Sequence, residues 1–371
     1  MSKIKLKKVS KIITKGTTPT TVGGDFKSDG INFIKSESIS DSKFLNKSLF
    51  SFIDEETDEK LKRSRIFEND LLFSIAGAYL GKIAKVTYKD IPANTNQAVG
   101  IVRLDNEKVD VDYLYYYFSQ NNINRYINIQ SSQSSQPNLN LTLLGDLEFE
   151  NKPLPTQQKI ASVLSALDDK IELNNRINAE LEAMAKTLYD YWFVQFDFPI
   201  VTSSGVEKPY KSSGGKMVYN ETLKREIPEG WEVKTVGNIL DKNKATNKIN
   251  AKEYLNMGKI PVIDQSTNLI CGFTNDESSL ITTKEKPAIV FGDHTRILKL
   301  INFDFARGAD GTQILFSKIE NMPQFLLYYS LLKIDLSNYG YARHFKFLKE
   351  QNLLIPKKEI AKEFNDLVKS Y

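Results

Sequence analysis

Residues 156–196 read TQQKIASVLSALDDKIELNNRINAELEAMAKTLYDYWFVQF, and neither glycine nor proline interrupts them. Ile160, Leu164, Leu167, Ile171, Asn174, Asn178, Leu181, Ala185, Leu188 and Trp192 recur there at alternating steps of four and three. That is the spacing of a heptad seam, and at about 1.5 Å of rise per residue it predicts a helix about 60 Å long. The opposite face carries Lys170, Glu172, Arg176 and Glu180, which argues against a helix buried all round in a single core. Asn174 and Asn178 fall on the seam, where buried amides fix register at a cost in stability. A helix of this length holds the chain segments on its two sides apart. The sequence is therefore read as two globular bodies joined by a spacer.

The two bodies are copies of one unit. Leu6-Lys-Lys-Val-Ser-Lys-Ile-Ile13 is similar to Val233-Lys-Thr-Val-Gly-Asn-Ile-Leu240, and Gly30-Ile-Asn-Phe-Ile-Lys-Ser-Glu37 to Gly258-Lys-Ile-Pro-Val-Ile-Asp-Gln265. Asp70-Leu-Leu-Phe-Ser-Ile-Ala-Gly77 pairs with Lys286-Pro-Ala-Ile-Val-Phe-Gly-Asp293, and Tyr113-Leu-Tyr-Tyr-Tyr-Phe118 with Phe325-Leu-Leu-Tyr-Tyr-Ser330. Leu154-Pro155 and Ile355-Pro356 each open a charged helical segment, proline suiting a first helical turn. Five matches in one order imply duplication. Short apolar runs such as Ala288 to Phe291 read as strands, and an aromatic helix comes next, around Val111 to Ser119 or Gln324 to Leu332. In the last helix Ile360, Phe364, Leu367 and Tyr371 repeat the spacing of Ile160, Leu164, Leu167 and Ile171.

The expected fold class is α+β: two mixed α/β domains separated by long antiparallel coiled-coil helices, with a pseudo-two-fold internal repeat. The expected boundaries are 1–153 and 231–354 for the domains and 154–197 for the spacer helix. A turn-rich crossing loop is expected at 198–230, and a shortened distal helix at 355–371.

Composition narrows the chemistry. Among 371 residues there is one cysteine, Cys271, and there are two histidines, His294 and His344. A lone cysteine excludes a disulfide framework and a cysteine zinc site, and suits a reducing cytoplasm. Two histidines so far apart in sequence do not make a metal cluster. The formal charge of +4 permits a polyanionic partner without demanding one. No apolar run approaches about 18 residues, so no membrane-spanning helix is expected. The basic start, Met1 to Lys8, has no apolar run behind it and does not read as a signal peptide. Phosphate loops, dinucleotide fingerprints and nucleophile elbows are absent, as is the Asn/Asp-Pro-Pro-aromatic motif of amino-methyltransferases. No catalytic residue and no metal ligand is expected.

The loops instead offer hydrogen-bonding groups without reactivity. Copy one has Lys15, Thr17, Thr18, Lys35, Ser36, Lys82, Asn94, Asn96, Gln97, Ser134, Gln136 and Asn138. Copy two has Asp264, Gln265, His294, Thr295, Arg296, Gln313, Tyr341, Arg343, His344 and Lys346. Asn and Gln match adenine edges, Arg and Lys match guanine, and Ser, Thr and Lys hold phosphates. Any one of these loops also reads as a solvated turn. Corresponding loops with different side chains in both copies read as two DNA readers with two targets.

Leu154-Pro-Thr-Gln-Gln-Lys-Ile160 and Tyr191-Trp-Phe-Val-Gln-Phe-Asp-Phe-Pro199 carry a family resemblance. So do Pro209-Tyr-Lys-Ser-Ser-Gly-Gly-Lys-Met-Val-Tyr-Asn220 and Arg225-Glu-Ile-Pro-Glu-Gly-Trp231. The chain resembles the specificity subunits of type I restriction–modification systems over essentially its whole length. The resemblance implies a non-catalytic subunit that binds double-stranded DNA at a bipartite, asymmetric target. It implies methyltransferase subunits carrying S-adenosylmethionine, and restriction subunits using ATP and Mg²⁺, with no cofactor on this chain. The distal helix is shorter than its repeat partner, which leaves a homodimer through the helices open beside methyltransferase docking. A stand-alone nuclease or methyltransferase, and a purely structural coiled-coil scaffold, are the rival readings.

Overall fold

The computed structural model describes residues 3–131, 138–201, 205–241, 247–340 and 342–370. The chain divides into two compact units, Met1–Arg176 and Ile177–Tyr371. The boundary falls inside one uninterrupted helix, Leu154–Tyr189, which continues as a π turn at Asp190–Val194. The stretch 154–197 is therefore shared between the units rather than standing apart as a domain.

In the first unit the strands Ser10–Lys15, Val99–Leu104, Leu71–Ser74 and Ile83–Lys85 form one antiparallel sheet in that order. A second sheet joins Ser51–Ile53, Ile31–Ile34 and Ala93–Thr95, the last two parallel. Leu71–Ser74 is buried along its whole length, which explains its unbroken apolar run. Successive side chains of a strand point to opposite faces. Accordingly Leu71 and Phe73 join a core with Phe118 and Phe149, while Leu72 joins another with Ile34, Val99 and Ile101. The aromatic helix Val111–Phe118 is started by Asp110, whose carboxylate accepts from the Tyr113 amide at 2.8 Å.

The second unit repeats the plan. Leu298–Ile301, Ala288–Gly292 and Thr312–Leu315 form one sheet. Gly272–Thr274, Ile260–Ile263, Phe305–Arg307 and Leu280–Ile281 form another, with Ile260–Ile263 and Phe305–Arg307 parallel. The aromatic helix is Gln324–Leu332 and the last helix Lys358–Ser370. The structural register differs from the sequence match by two residues in one place. The Leu139 amide donates to Ile75 O at 2.9 Å and the His344 amide to Asp293 O at 2.8 Å, so Phe73 corresponds to Phe291. A slip of two keeps every side chain on its own face, so the apolar pattern cannot reveal it.

Two further expectations change. The stretch 198–230 is not a crossing loop but two hairpins, Pro199–Val201 with Glu207–Pro209 and Met217–Asn220 with Arg225–Pro228. They are held by rings: Phe198 stacks on Tyr210 at 4.6 Å and on Trp231 at 5.3 Å. The last helix buries Ala361, Phe364 and Val368, whereas Ile360 is half-buried and Leu367 exposed. Phe364 meets Tyr189, Trp192, Phe193 and Tyr329, so this helix packs on the C-terminal end of the long one. Of the seam in the long helix, Ile160, Leu164, Leu181 and Leu188 are half-buried and Ala185 and Trp192 buried. Every residue from Asp169 to Glu180 is exposed, Ile171, Asn174 and Asn178 included. Among the described residues no helix is long and apolar enough to cross a membrane.

Phe364→Ala is expected to destabilise the second unit by about 3–5 kcal/mol, the cost of emptying an aromatic core site. Both tryptophans, Trp192 and Trp231, lie in that unit, so denaturant unfolding monitored by their fluorescence reads it directly. An unchanged midpoint would show that the last helix does not close this core.

Candidate nucleic-acid interface

In the first unit the parallel pairing of Ile34 with Thr95 sets Lys35 beside Asn96 at the ends of two strands. The chain leaving Ser10–Lys15 crosses the same place: the Gly16 amide donates to Val99 O at 3.2 Å and the Thr17 amide to Thr95 O at 3.0 Å. A Cβ on Gly16 would lie 2.1 Å from Thr95 O, so this approach requires glycine. Thr18 donates its hydroxyl proton to Gln97 Oε1, and Arg63 donates to Thr17 Oγ1 at 3.4 Å. Lys15, Thr17, Thr18, Asn96 and Gln97 are thus gathered. Arg63 joins them unforeseen; the run Lys60-Leu-Lys-Arg63 was its signal in the sequence.

The other candidates of this unit are more scattered. Lys35 is half-buried, its ammonium 4.4 Å from the centre of the Phe26 ring, and Ser36 opens a short 3₁₀ turn. Lys82 is paired with Asp41 at 3.0 Å. Asn138 is exposed, its backbone bridged to Ala76. Ser134, Gln136 and, in copy two, Tyr341 lie outside the described residues. Asn94 is a correction. It is fully buried, donates to Asp58 Oδ1 at 3.0 Å and Leu61 O at 3.2 Å, and accepts from the Thr95 amide at 2.9 Å. It builds the floor of the locus and cannot reach a base.

In the second unit the parallel pairing of Ile263 with Arg307 gathers four loops. Gln265 spends its side chain inside the protein, donating to Asp310 O at 2.9 Å and accepting from the His294 amide at 3.1 Å. Thr295 donates to Gln265 O at 2.7 Å, and the Asp293 amide donates to Gly311 O at 2.7 Å. Asp264 accepts from the Ser266 amide at 2.8 Å, from Cys271 Sγ at 2.8 Å and from the Tyr254 hydroxyl at 3.2 Å. Burial opposes ionisation of Asp264, but those bonds outweigh it and hold the carboxyl below the usual range. Burial, reinforced by the same carboxylate, pushes the Cys271 thiol up and keeps it a donor. Asp264 and Gln265, both half-buried, brace these loops.

His344 is buried. Its ring nitrogens lie 2.9 Å from Asp293 O and 3.0 Å from Gly340 O, and the Asp293 carboxylate accepts from the Phe345 amide at 2.7 Å. Gln313 is half-buried in the strand Thr312–Leu315, opposite Phe291. The groups that this framework presents are Thr295, Arg296, Arg343 and Lys346, all exposed, with His294 half-buried. Arg296 adopts φ 63°; its amide donates to Gly292 O at 2.8 Å within the turn, and its guanidinium donates to Leu336 O at 3.4 Å. Lys248, unforeseen, enters the locus paired with Asp310 at 3.2 Å. Among the described residues no group of histidine, cysteine and acidic side chains could hold a metal.

The depressed carboxyl of Asp264 sets a pH dependence. Its contribution to stability is fully present above the unfolded-state value of about 4 and is lost as the pH falls through the lower folded value. Asp264→Asn is therefore expected to melt below the natural chain at pH 7, with the difference closing below about pH 4. A difference independent of pH would contradict the bracing role.

Residues 1–183 and 228–371 match the family model described as type I restriction modification DNA specificity domain. The chain is 29% identical over 278 residues to the type I restriction enzyme MjaIX specificity subunit of Methanocaldococcus jannaschii, covering 74% of this chain and 60% of that one. It is 34% identical over 88 residues to the type I restriction enzyme HindI specificity subunit of Haemophilus influenzae, covering 23% of this chain and 19% of that one. The match thus spans less than two thirds of either relative. The crystal structure of a type-I restriction-modification system S subunit from M. genitalium shares the fold, with a TM-score of 0.57 at 15% identity, covering all of this chain and 90% of that one. The chain belongs to the family of type I restriction–modification DNA specificity domains.

Proposed function

We propose that this chain is the DNA-reading subunit of a type I restriction–modification complex. It binds double-stranded DNA at a bipartite target, the first unit reading one half-site and the second the other. Methyltransferase subunits carrying S-adenosylmethionine modify that target, and restriction subunits with ATP and Mg²⁺ join for cleavage, all in the cytoplasm. The chain itself has no part in the covalent chemistry. Cys271 and His344, which could act as a nucleophile and a base, are spent on framework bonds.

One observation carries the reading. The same parallel strand pair occurs twice, and it presents Lys15, Thr17, Asn96 and Arg63 in one unit but Arg296, Arg343, Lys346 and Lys248 in the other. Equal frameworks with unequal donors suit unequal half-sites. The exposed stretch Asp169–Glu180, with Ile171 and Ile177 bare, is the surface we assign to a methyltransferase subunit. A second copy of the chain is the other candidate for that surface.

Exchange of residues 1–150 for those of another family member, with mapping of methylated sites in cells that also express the partners, is the test. One half-site is expected to change and the other to persist. A change in both, or in neither, would contradict independent reading.

A further inference from the structure

The long helix leaves the first unit through a polar joint. Asp112 and Tyr116, one turn apart on Val111–Phe118, face Ser165 and Asp168 on the long helix. Tyr116 donates its phenolic proton to Asp168 Oδ2 at 2.7 Å. The Lys43 ammonium is 6% exposed; it lies 2.9 Å from Asp112 Oδ1 and donates to Ser165 Oγ at 2.9 Å. The Tyr116 ring sits 5.4 Å from the same ammonium. Lys85 completes the group, 2.9 Å from both Asp112 oxygens. Burial opposes ionisation of Asp112, but Lys85 and Lys43 prevail and hold its carboxyl below the usual range. Burial, with the Asp168 carboxylate adding to it, raises the Tyr116 phenol above its ordinary value and keeps it a donor.

Beyond this joint the helix and the domain part. Asp169, Glu172 and Leu173 on one wall, and Phe44, Lys47 and Tyr88 on the other, line an open cleft of about 780 Å³. The joint thus holds the helix to the first unit immediately before this cleft.

A buried ion-pair group adds little net stability over apolar packing of the same size, so stability does not account for it. Its bonds are directional and accept one crossing geometry, whereas apolar side chains tolerate sliding. The second copy provides an internal comparison. There Ala361, Phe364 and Val368 stand where the first copy has Ala161, Leu164 and Asp168, and both Phe364 and Val368 are buried in an aromatic core. The position is apolar in the second copy and acidic in the first.

We propose that Lys43, Tyr116, Ser165 and Asp168 are positioning residues that fix the angle at which the helix leaves the first unit, and through it the gap accepted between half-sites. The inference rests on the two-reader function above. Its test uses the full chain assembled with its methyltransferase subunits. The probes are duplexes carrying both half-sites at the natural gap, at one base pair more and at one base pair less, and a duplex with the first half-site alone. Tyr116→Phe and Asp168→Ala are each expected to cut the preference for the natural gap by about tenfold, the worth of one charge-assisted hydrogen bond. Affinity for the first half-site alone should stay within about twofold, and Asp168→Asn, which keeps an acceptor, should restore the preference. An unaltered gap preference in both variants overturns the proposal, as does a loss of half-site affinity in step with it. An unmodified complex that shows no bipartite preference overturns the functional reading itself, and the joint's role falls with it.

Discussion

Parallel pairing between strands distant in sequence governs each unit. Parallel strands cannot be joined by a tight turn, so the chain between Ile31–Ile34 and Ala93–Thr95 must travel, and it lays down Leu71–Ser74 and Ile83–Lys85 of the antiparallel sheet on the way. The same holds between Ile260–Ile263 and Phe305–Arg307. Because parallel strands end on the same side, the loops that leave them share one surface. Short polar loops, each ordinary alone, thereby become one locus per unit.

The loci are held by polar bonds, buried at Asn94, Asp58, Asp293 and His344 and half-buried at Asp264 and Gln265. Asn94 and Asp58 underlie the first; Asp264, Gln265, Asp293 and His344 underlie the second. A buried donor or acceptor left without its partner costs about 1–3 kcal/mol, so such bonds are seldom broken, and they leave the exposed side chains free to differ. That division lets one framework carry two different sets of exposed groups. The first locus presents hydroxyls, amides and Lys15 with Arg63, the second chiefly cations. The long helix belongs to the same logic, since beside the apolar contacts of Ile160 and Ala161 its hold on the first unit includes directional bonds from Lys43 to Ser165 and from Tyr116 to Asp168.

Much of this was legible in the sequence. The uninterrupted heptad stretch showed the helix, and the ordered matches showed the duplication, because periodicity and order survive when identities drift. The two-residue slip at Phe73 and Phe291 was not legible, since a slip of two leaves the strand pattern unchanged. The hairpins at 198–230 were hidden by their Ser and Gly content, although Phe198, Tyr210 and Trp231 signalled a packed element. Residue type alone does not separate exposed loop groups from the braces beneath them. Asn94 and His344 are buried, and Asp264 and Gln265 are half-buried with their side chains bonded inside the protein; neither burial nor partners are written in a loop's composition.

The central claim is that the two loci, and not the rest of the surface, meet DNA. Hydrogen exchange of the assembled complex, with and without its target duplex, tests that most directly. The account expects new protection in both units, at residues 15–18 and 96–98 and at residues 293–296 and 309–311, with the sheets beneath unchanged. Protection confined to one unit, or found only along the exposed helix at 169–180, would contradict it.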